Sequence, residues 1–232
     1  MESIYIPALE RSSDRINIPL EEVRHLRALR QREGARIYAV NGGGLAAEIE
    51  IDSMSKNGPA MARVIRFIEN MGEPRRKMGI AFGILADREK NELIVEKAVE
   101  LGFSEIIPVV ASRSQRRELN LPRLELKIIS AMKQCLRSVA PKLSNPVKLS
   151  DIDVTNIYDH RILADIDGTP PYSPGQGSAI VFVGPEGGFD ESEVAAIKSL
   201  DNSVEWRLGP TRQRAETASI VSMGILASFG DD

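Results

Sequence analysis

The chain has 232 residues, 42% of them hydrophobic and 27% charged, and a formal net charge of −3. That composition fits a soluble globular protein of one large or two smaller domains and excludes a uniformly basic nucleic-acid coat, although a local basic face is enough to hold phosphates. There is no run of 18 apolar residues, no basic and then apolar leader, and a single Cys135, so the expectation is no membrane span, no secretory signal, no internal disulfide and a reducing, cytoplasmic compartment.

The first 70 residues hold short β-like runs: SIYI (3–6), ARIYAV (35–40), LAAEIEI (45–51) and MARVIRFI (61–68). Turn signals NGGG at 41–44 and KNGP at 56–59 separate them, a pattern that predicts a small antiparallel barrel. PLEEVRHLRALR (19–30) interrupts it with one or two helical turns, and the polar ENMGEPRRKM (69–78) reads as a linker. The chain therefore divides into a β-rich part, 1–70, and a second part, 71–232. There the apolar run GIAFGIL (79–85) predicts a strand buried on both faces. REKNELIVEKAVELG (88–102) predicts a helix with Leu93, Ile94, Ala98 and Leu101 on one face and Gly102 as its stop. SEIIPVV (104–110) is the next strand, and LELKIISAMKQCLRSV (124–139) a helix closed by Pro141. RILADI (161–166), AIVFVG (179–184) and VEWRLG (204–209) are further strands, ESEVAAIKSL (191–200) a helix between the last two, and a final helix runs from about Glu216 to Phe229. Alternating strands and helices predict an α/β domain with a mostly parallel sheet.

Ligands of open α/β sheets bind beyond the C-terminal ends of the strands. Two glycine-rich corners sit at such ends. In VFVGPEGGFDESE (181–193), Gly184, Gly187 and Gly188 remove side-chain bulk where backbone would touch a ligand, and Asp190 with Glu193 reads as a capping box. In RLGPTRQRAETASIV (207–221), Gly209 and Pro210 turn the chain, Arg212 and Arg214 project near the sheet's mouth, and Glu216 and Thr217 occupy the first turn of the last helix. A tight turn and a capped helix need fewer special residues. Neither phosphate-binding glycine pattern is present, and Glu186 would repel a pyrophosphate, so hydroxyls, amines or a cationic centre suit the site better. His25 and His160 lie far apart with no ligand spacing around them, so no metal is expected. Arg24, His25, Arg27, Arg30, Arg32 and Arg36 form the densest basic stretch, and in its helical part Arg24, Arg27 and Arg30, spaced by three, predict a phosphate-facing row. Arg75, Arg76 and Lys77, and Arg113, Arg116 and Arg117, add basic patches.

GPEGGF (184–189) followed by LGPTRQRAETA (208–218) resembles the paired signature of SPOUT methyltransferases of the RsmE type. EKNELIVEKAVELGFSEIIPV (89–109) and AMKQCLR (131–137) with Pro141 are similar to further segments of that family, and HLRALRQREGARIYAVNGGG (25–44) to its PUA-like N-terminal domain. The chain departs from the family pattern at Lys133, where many members have Glu, and at Thr211, Arg212 and Gln213. The resemblance implies a small RNA-binding PUA-like β-barrel over 1–70 and a SPOUT domain with a C-terminal trefoil knot over 71–232. It implies methylation of N3 of a uridine in 16S ribosomal RNA of the small subunit, S-adenosylmethionine as donor, a homodimer, and no metal. One wall of the donor site would be Val183, Gly184, Pro185, Glu186, Gly187 and Gly188, the other Leu208, Gly209, Arg214, Glu216, Thr217 and Ala218, with Leu163 and Ala164 on the adenine side. Arg24, His25, Arg27 and Arg30 would bind RNA. Arg214 would steady the uracil oxygens with Arg212 as helper, while Glu216 or Glu186 positions the donor or relays the proton. The last helix's stripe of Ile220, Val221, Gly224, Ile225 and Ala227 suits either a dimer contact or ordinary packing. A SPOUT ribose 2′-O-methyltransferase and a noncatalytic rRNA-binding assembly factor are the alternatives.

Overall fold

The computed structural model describes residues 2–55 and 58–229, and the chain divides into two compact units: 1–73 with 129–140, and 74–128 with 141–232. In the first, β1 (Ser3–Tyr5), β2 (Arg15–Ile18), α1 (Leu20–Ala28), β3 (Arg36–Val40), β4 (Leu45–Met54) and β5 (Ala60–Glu69) follow in order, and the strands form one sheet in the order β1-β3-β4-β5-β2. The pairs β3–β4, β4–β5 and β5–β2 are antiparallel, but β1 lies parallel to β3, so the sheet is not antiparallel throughout. Alternation sets which side chains turn inward. Ile16 and Ile18 of β2 join Ile37, Ile49, Ile51 and the helical Val23 and Leu26 in one core. The turn at 41–44 is held by Asn41, whose Oδ1 accepts from the N–H groups of Gly43 (2.7 Å) and Leu45 (3.1 Å). At the second expected turn, Lys56 and Asn57 lie outside the described residues.

The second unit begins with β6 (Met78–Gly83), α2 (Arg88–Glu100) and β7 (Glu105–Val109). Then comes α3 (Leu121–Cys135), whose residues from 129 belong to the first unit. β8 (Lys142–Leu143), β9 (His160–Thr169), β10 (Ala179–Val183), α4 (Glu191–Lys198), β11 (Ser203–Trp206) and α5 (Ala215–Ser228) complete the chain. Its sheet has the order β11-β9-β10-β6-β7-β8 with every neighbouring pair parallel. The fold is thus mixed α/β with a parallel sheet. Every residue of β6, β7 and β10 is buried, as strands covered on both faces require. Ala81, Ile107, Ile180 and Phe182 pack with Phe189 and, from α4, Ile197, while α5 packs against α2, β6 and β10.

Helix ends follow backbone chemistry. α2 stops at Gly102, which takes a left-handed φ of 84° while the Phe103 N–H reaches back to the Ala98 carbonyl. α3 was expected over 124–139; it ends at Cys135 because Leu136 takes a left-handed φ of 60° and the Arg137 N–H bonds the Met132 carbonyl. Among the described residues no helix is long and apolar enough to cross a membrane. The sheet's winding reverses between its two central strands. From β6 the chain steps outward through β7 and β8, whereas from β10 it goes to β11 on the opposite edge. Connections leaving β6 and β10 therefore run to opposite edges of the sheet.

Candidate active site

A cavity of about 620 Å³ lies at the C-terminal ends of β10 and β11 and beside the second half of β9, within the range of small-molecule sites. Its floor comes from a break in the β9–β11 ladder: Glu205 pairs with Leu163, but the next residue, Trp206, pairs with Thr169, so residues 164–168 bulge out of register. The Asp167 N–H closes the bulge onto Asp165 Oδ1 at 3.0 Å. Leu163, Ala164, Asp165 and Ile166 line the cavity there.

The first corner supplies Val183, Gly184, Pro185, Glu186 and Gly188. Glycine at 184 is a steric necessity, because a Cβ there would lie 2.7 Å from the Phe189 backbone nitrogen. The corner is tied down on every side. Arg113 donates to the carbonyls of Gly187 (3.1 Å) and Phe189 (3.3 Å). The Ala86 N–H donates to Glu186 Oε1 (3.0 Å), and the Ala86 carbonyl accepts from Arg116 Nε (3.1 Å). The expected capping box exists: Asp190 Oδ1 accepts from the Glu193 N–H and Glu193 Oε2 from the Asp190 N–H, both at 2.8 Å. The Ser192 hydroxyl, then the Glu193 N–H, hold the Asp190 carboxyl down at about 2.

The second corner supplies Leu208, Gly209, Arg212, Arg214, Glu216 and Ala218. It is bound far more sparsely. Gln213 Nε2 makes a long bond to the Leu208 carbonyl (3.5 Å), and Arg214, the residue before α5, places no side-chain cap on the helix. Glu216 forms an ion pair with Lys90 of α2, Oε1 to Nζ 3.0 Å. Burial pushes the Glu216 carboxyl up, but its own backbone N–H, the Lys90 ammonium and Arg214 outweigh that and hold it below the usual carboxylate range.

The family profile described as the RNA methyltransferase domain matches residues 72–227. A curated relative from Mesomycoplasma hyopneumoniae, ribosomal RNA small subunit methyltransferase E, is 30% identical over 68% of this chain and 73% of its own length. The chain belongs to the ribosomal RNA small subunit methyltransferase E family. The Bacillus subtilis member is 27% identical over 89% of this chain and 87% of its own. A Legionella pneumophila protein solved in complex with S-adenosylmethionine superposes with a TM-score of 0.82 at 25% identity, covering 99% of this chain and 98% of that one.

Of the donor-site residues expected from the resemblance to this methyltransferase family, the structure gathers all but two on one cavity wall. Gly187 instead packs against Arg113, and Thr217 faces solvent. Lys90, Asp165, Ile166, Trp206 and Gln213 line the cavity as well and were not singled out from the sequence. A lysine on an amphipathic helix reads as a solvated residue, and only the packing of α2 against α5 turns Lys90 inward. Lys133, the departure from the family pattern, pairs with Glu22 at 2.9 Å within the first unit, away from the cavity wall.

The basic stretch differs from the expected row. α1 ends at Ala28, and Arg30 lies past it in a left-handed turn with φ 59°, closed by the Gln31 N–H on the Leu26 carbonyl. Arg24 is exposed, His25 half-buried, and Arg27 donates to the Ser55 carbonyl. Arg113 and Arg116, expected among the basic patches, donate to backbone carbonyls.

Proposed function

We propose that this protein transfers the methyl group of S-adenosylmethionine to N3 of a uridine in 16S ribosomal RNA of the small subunit. The observation that carries the reading is the character of the cavity. Apolar Leu163, Ile166, Val183 and Leu208 alternate there with buried polar atoms that have no protein partner: Trp206 Nε1, Gln213 Oε1 and Glu216 Oε2. An adenosine bearing hydroxyls, an amine and a cationic sulfur matches that mixture, whereas a pyrophosphate would meet Glu186 and Glu216. The bound cofactor supplies a methyl group activated on a sulfonium. The Legionella relative in complex with it supports the assignment.

Methylation at N3 requires that nitrogen to lose its proton, and negative charge then spreads to O2 and O4. Arg214, exposed at the mouth and bonded to no acceptor through a cap, is the cation placed for those oxygens, with Arg212 beside it on the wall. Glu216, held as a carboxylate, accepts the N3 proton or orients the donor. Glu186 is bound to the Ala86 N–H and shapes the corner.

The two units fit a PUA-like RNA-binding module and a SPOUT domain, with Arg24, His25, Arg27 and Arg30 on the first as the phosphate contacts. A knotted path is supported by α5, which follows the edge strand β11 yet packs back on β10, β6 and α2. Ile220, Val221, Gly224, Ile225 and Ala227 of α5 are half-buried, which suits a homodimer. A cytoplasmic location follows from an rRNA substrate. Mass spectrometry of nucleosides from small-subunit rRNA, with and without the gene, tests the function: 3-methyluridine should vanish on deletion. Loss of a ribose methylation instead would favour 2′-O transfer, and no change at all a noncatalytic assembly factor.

A further inference from the structure

Among the described residues lining the cavity, Lys90 is the cation contributed by neither glycine-rich corner. Its place is fixed by the turn before it. Asp87 caps α2 by accepting from the Glu89 N–H (2.8 Å), and the fully buried Asn91 side chain bonds the N–H and carbonyl of Leu85 (both 2.9 Å) and the Asp87 carbonyl (2.7 Å). A residue between two such anchors cannot swing its backbone away. Lys90 Nζ engages Glu216 Oε1 at 3.0 Å, with the side chains 29% and 13% exposed. The other carboxylate oxygen, Oε2, is buried on the same wall without a protein partner.

We propose that Lys90 is a positioning residue: it occupies one oxygen of Glu216 and thereby presents the other as a single, oriented acceptor for an N–H or O–H group of the bound ligands. The inference rests on the methyltransferase reading and deepens it. An ion-paired carboxylate cannot donate, so its partner must be a hydrogen-bond donor, and a buried acceptor left unmet is costly enough to select for one. Donors of that kind occur on S-adenosylmethionine, in its hydroxyls and amino groups, and at N3 of uracil. Few other charges act on Glu216. α2 faces it with Lys90 and Arg214 precedes α5 at its N-cap, while β6 and β10 bring no ionisable side chain. Asp165, Glu186, Arg207 and Arg212 are the remaining charged groups on the cavity wall.

The test compares full-length wild type, Lys90→Met, Glu216→Gln and the double variant. S-adenosylmethionine affinity is measured by calorimetry, and single-turnover methylation of small-subunit rRNA across pH. Lys90→Gln, which keeps a polar end on a slightly shorter side chain without the charge, replaces the Met variant if that one misfolds. Both single variants should lose about tenfold or more in the same parameter, and the double no more than the worse single, as coupled residues do. A loss in affinity assigns the donor group to the cofactor. A loss in rate at unchanged affinity, with the acid limb of Lys90→Met moved to higher pH, assigns it to uracil N3. Additive losses, losses in different parameters, or less than a twofold change on removing Lys90 would overturn the inference alone. A wild type that binds no S-adenosylmethionine would overturn the proposed function and this inference with it.

Discussion

The two glycine-rich corners frame one cavity, yet they are built in opposite ways. Residues 184–190 are densely bonded: Arg113, Ala86 and the Asp190–Glu193 pair engage their carbonyls, carboxylates and N–H groups, and the Ser112 N–H in turn holds Glu193. Residues 207–216 are bound more sparsely, through the Arg207 N–H on the Thr169 carbonyl (2.7 Å), the Glu216–Lys90 ion pair (3.0 Å) and the long Gln213–Leu208 bond, and they leave Arg214 without a side-chain cap and one carboxylate oxygen with no protein partner. A polar group already satisfied by the protein gains little from a ligand, whereas an unsatisfied one gains a full hydrogen bond. On the proposed reading the densely bonded corner is a preformed mould for the cofactor, while the open corner offers Gln213 and Glu216 oxygens to the ligands and carries in Arg214 the cation for the chemistry. Damage to the first corner should then fall on binding, and loss of Arg214 on rate.

The largest effect is expected at Gly184. A methyl group there would press on the Phe189 nitrogen at 2.7 Å and on Gly188 at 2.9 Å, both backbone atoms, so the corner must unfold locally to admit it. Gly184→Val should weaken S-adenosylmethionine binding about 100-fold or more, the order of loss that follows when a preorganised site is displaced. Calorimetry checks this, and near-normal affinity would mean that the corner is no mould.

Arg214→Ala probes the other corner. Removing a cation aimed at developing negative charge costs about 10²–10³ in kcat in comparable sites, and if, as proposed, that side chain serves the RNA base, cofactor affinity should stay within about a factor of three. Equal losses in both parameters would erase the distinction between the corners. Arg113→Ala should show the reverse split at smaller amplitude. It removes two bonds to corner carbonyls, one exposed and one partly buried, worth about tenfold in cofactor affinity, and leaves kcat at saturating cofactor close to that of the wild type.

How much of this contrast could be seen in the sequence depends on the range of the interactions involved. Strands β6 and β10 were legible because burial on both faces writes a continuous apolar run, and the Asp190–Glu193 box because its partners lie three residues apart. β2 was missed: RINI alternates polar and apolar between Ser12-Ser13-Asp14 and Pro19, but four residues are too short a run to stand out, and they find their place by pairing with β5. The parallel β1–β3 pairing was illegible for the same reason, since a short run carries no mark of its neighbour's direction. Gly184 and Glu216 could be chosen from local pattern, but Lys90 could not, because its partner lies more than a hundred positions away. The break between Glu205 and Trp206, which builds the floor, is a property of two strands and is written in neither alone.

The smallest effect expected lies at Asp190, and it separates mould from chemistry by pH. Its carboxyl falls from an ordinary 3.8 to about 2 in the fold, through the Ser192 hydroxyl first and then the Glu193 N–H. A depressed value means that the folded state prefers the carboxylate. The stabilisation is therefore complete above pH 3.8 and drains away as pH falls through about 2. Asp190→Ala should lower the melting temperature by about 2–4 °C at neutral pH, the scale for one lost helix cap in a chain of this length. The gap between variant and wild type should then narrow below pH 3.8, because protonation weakens the same cap in the wild type. A gap that stays constant to pH 2 would show that the cap does not act through its charge, and the corner would then owe its rigidity to Arg113, the Ala86–Glu186 bond and the glycine packing.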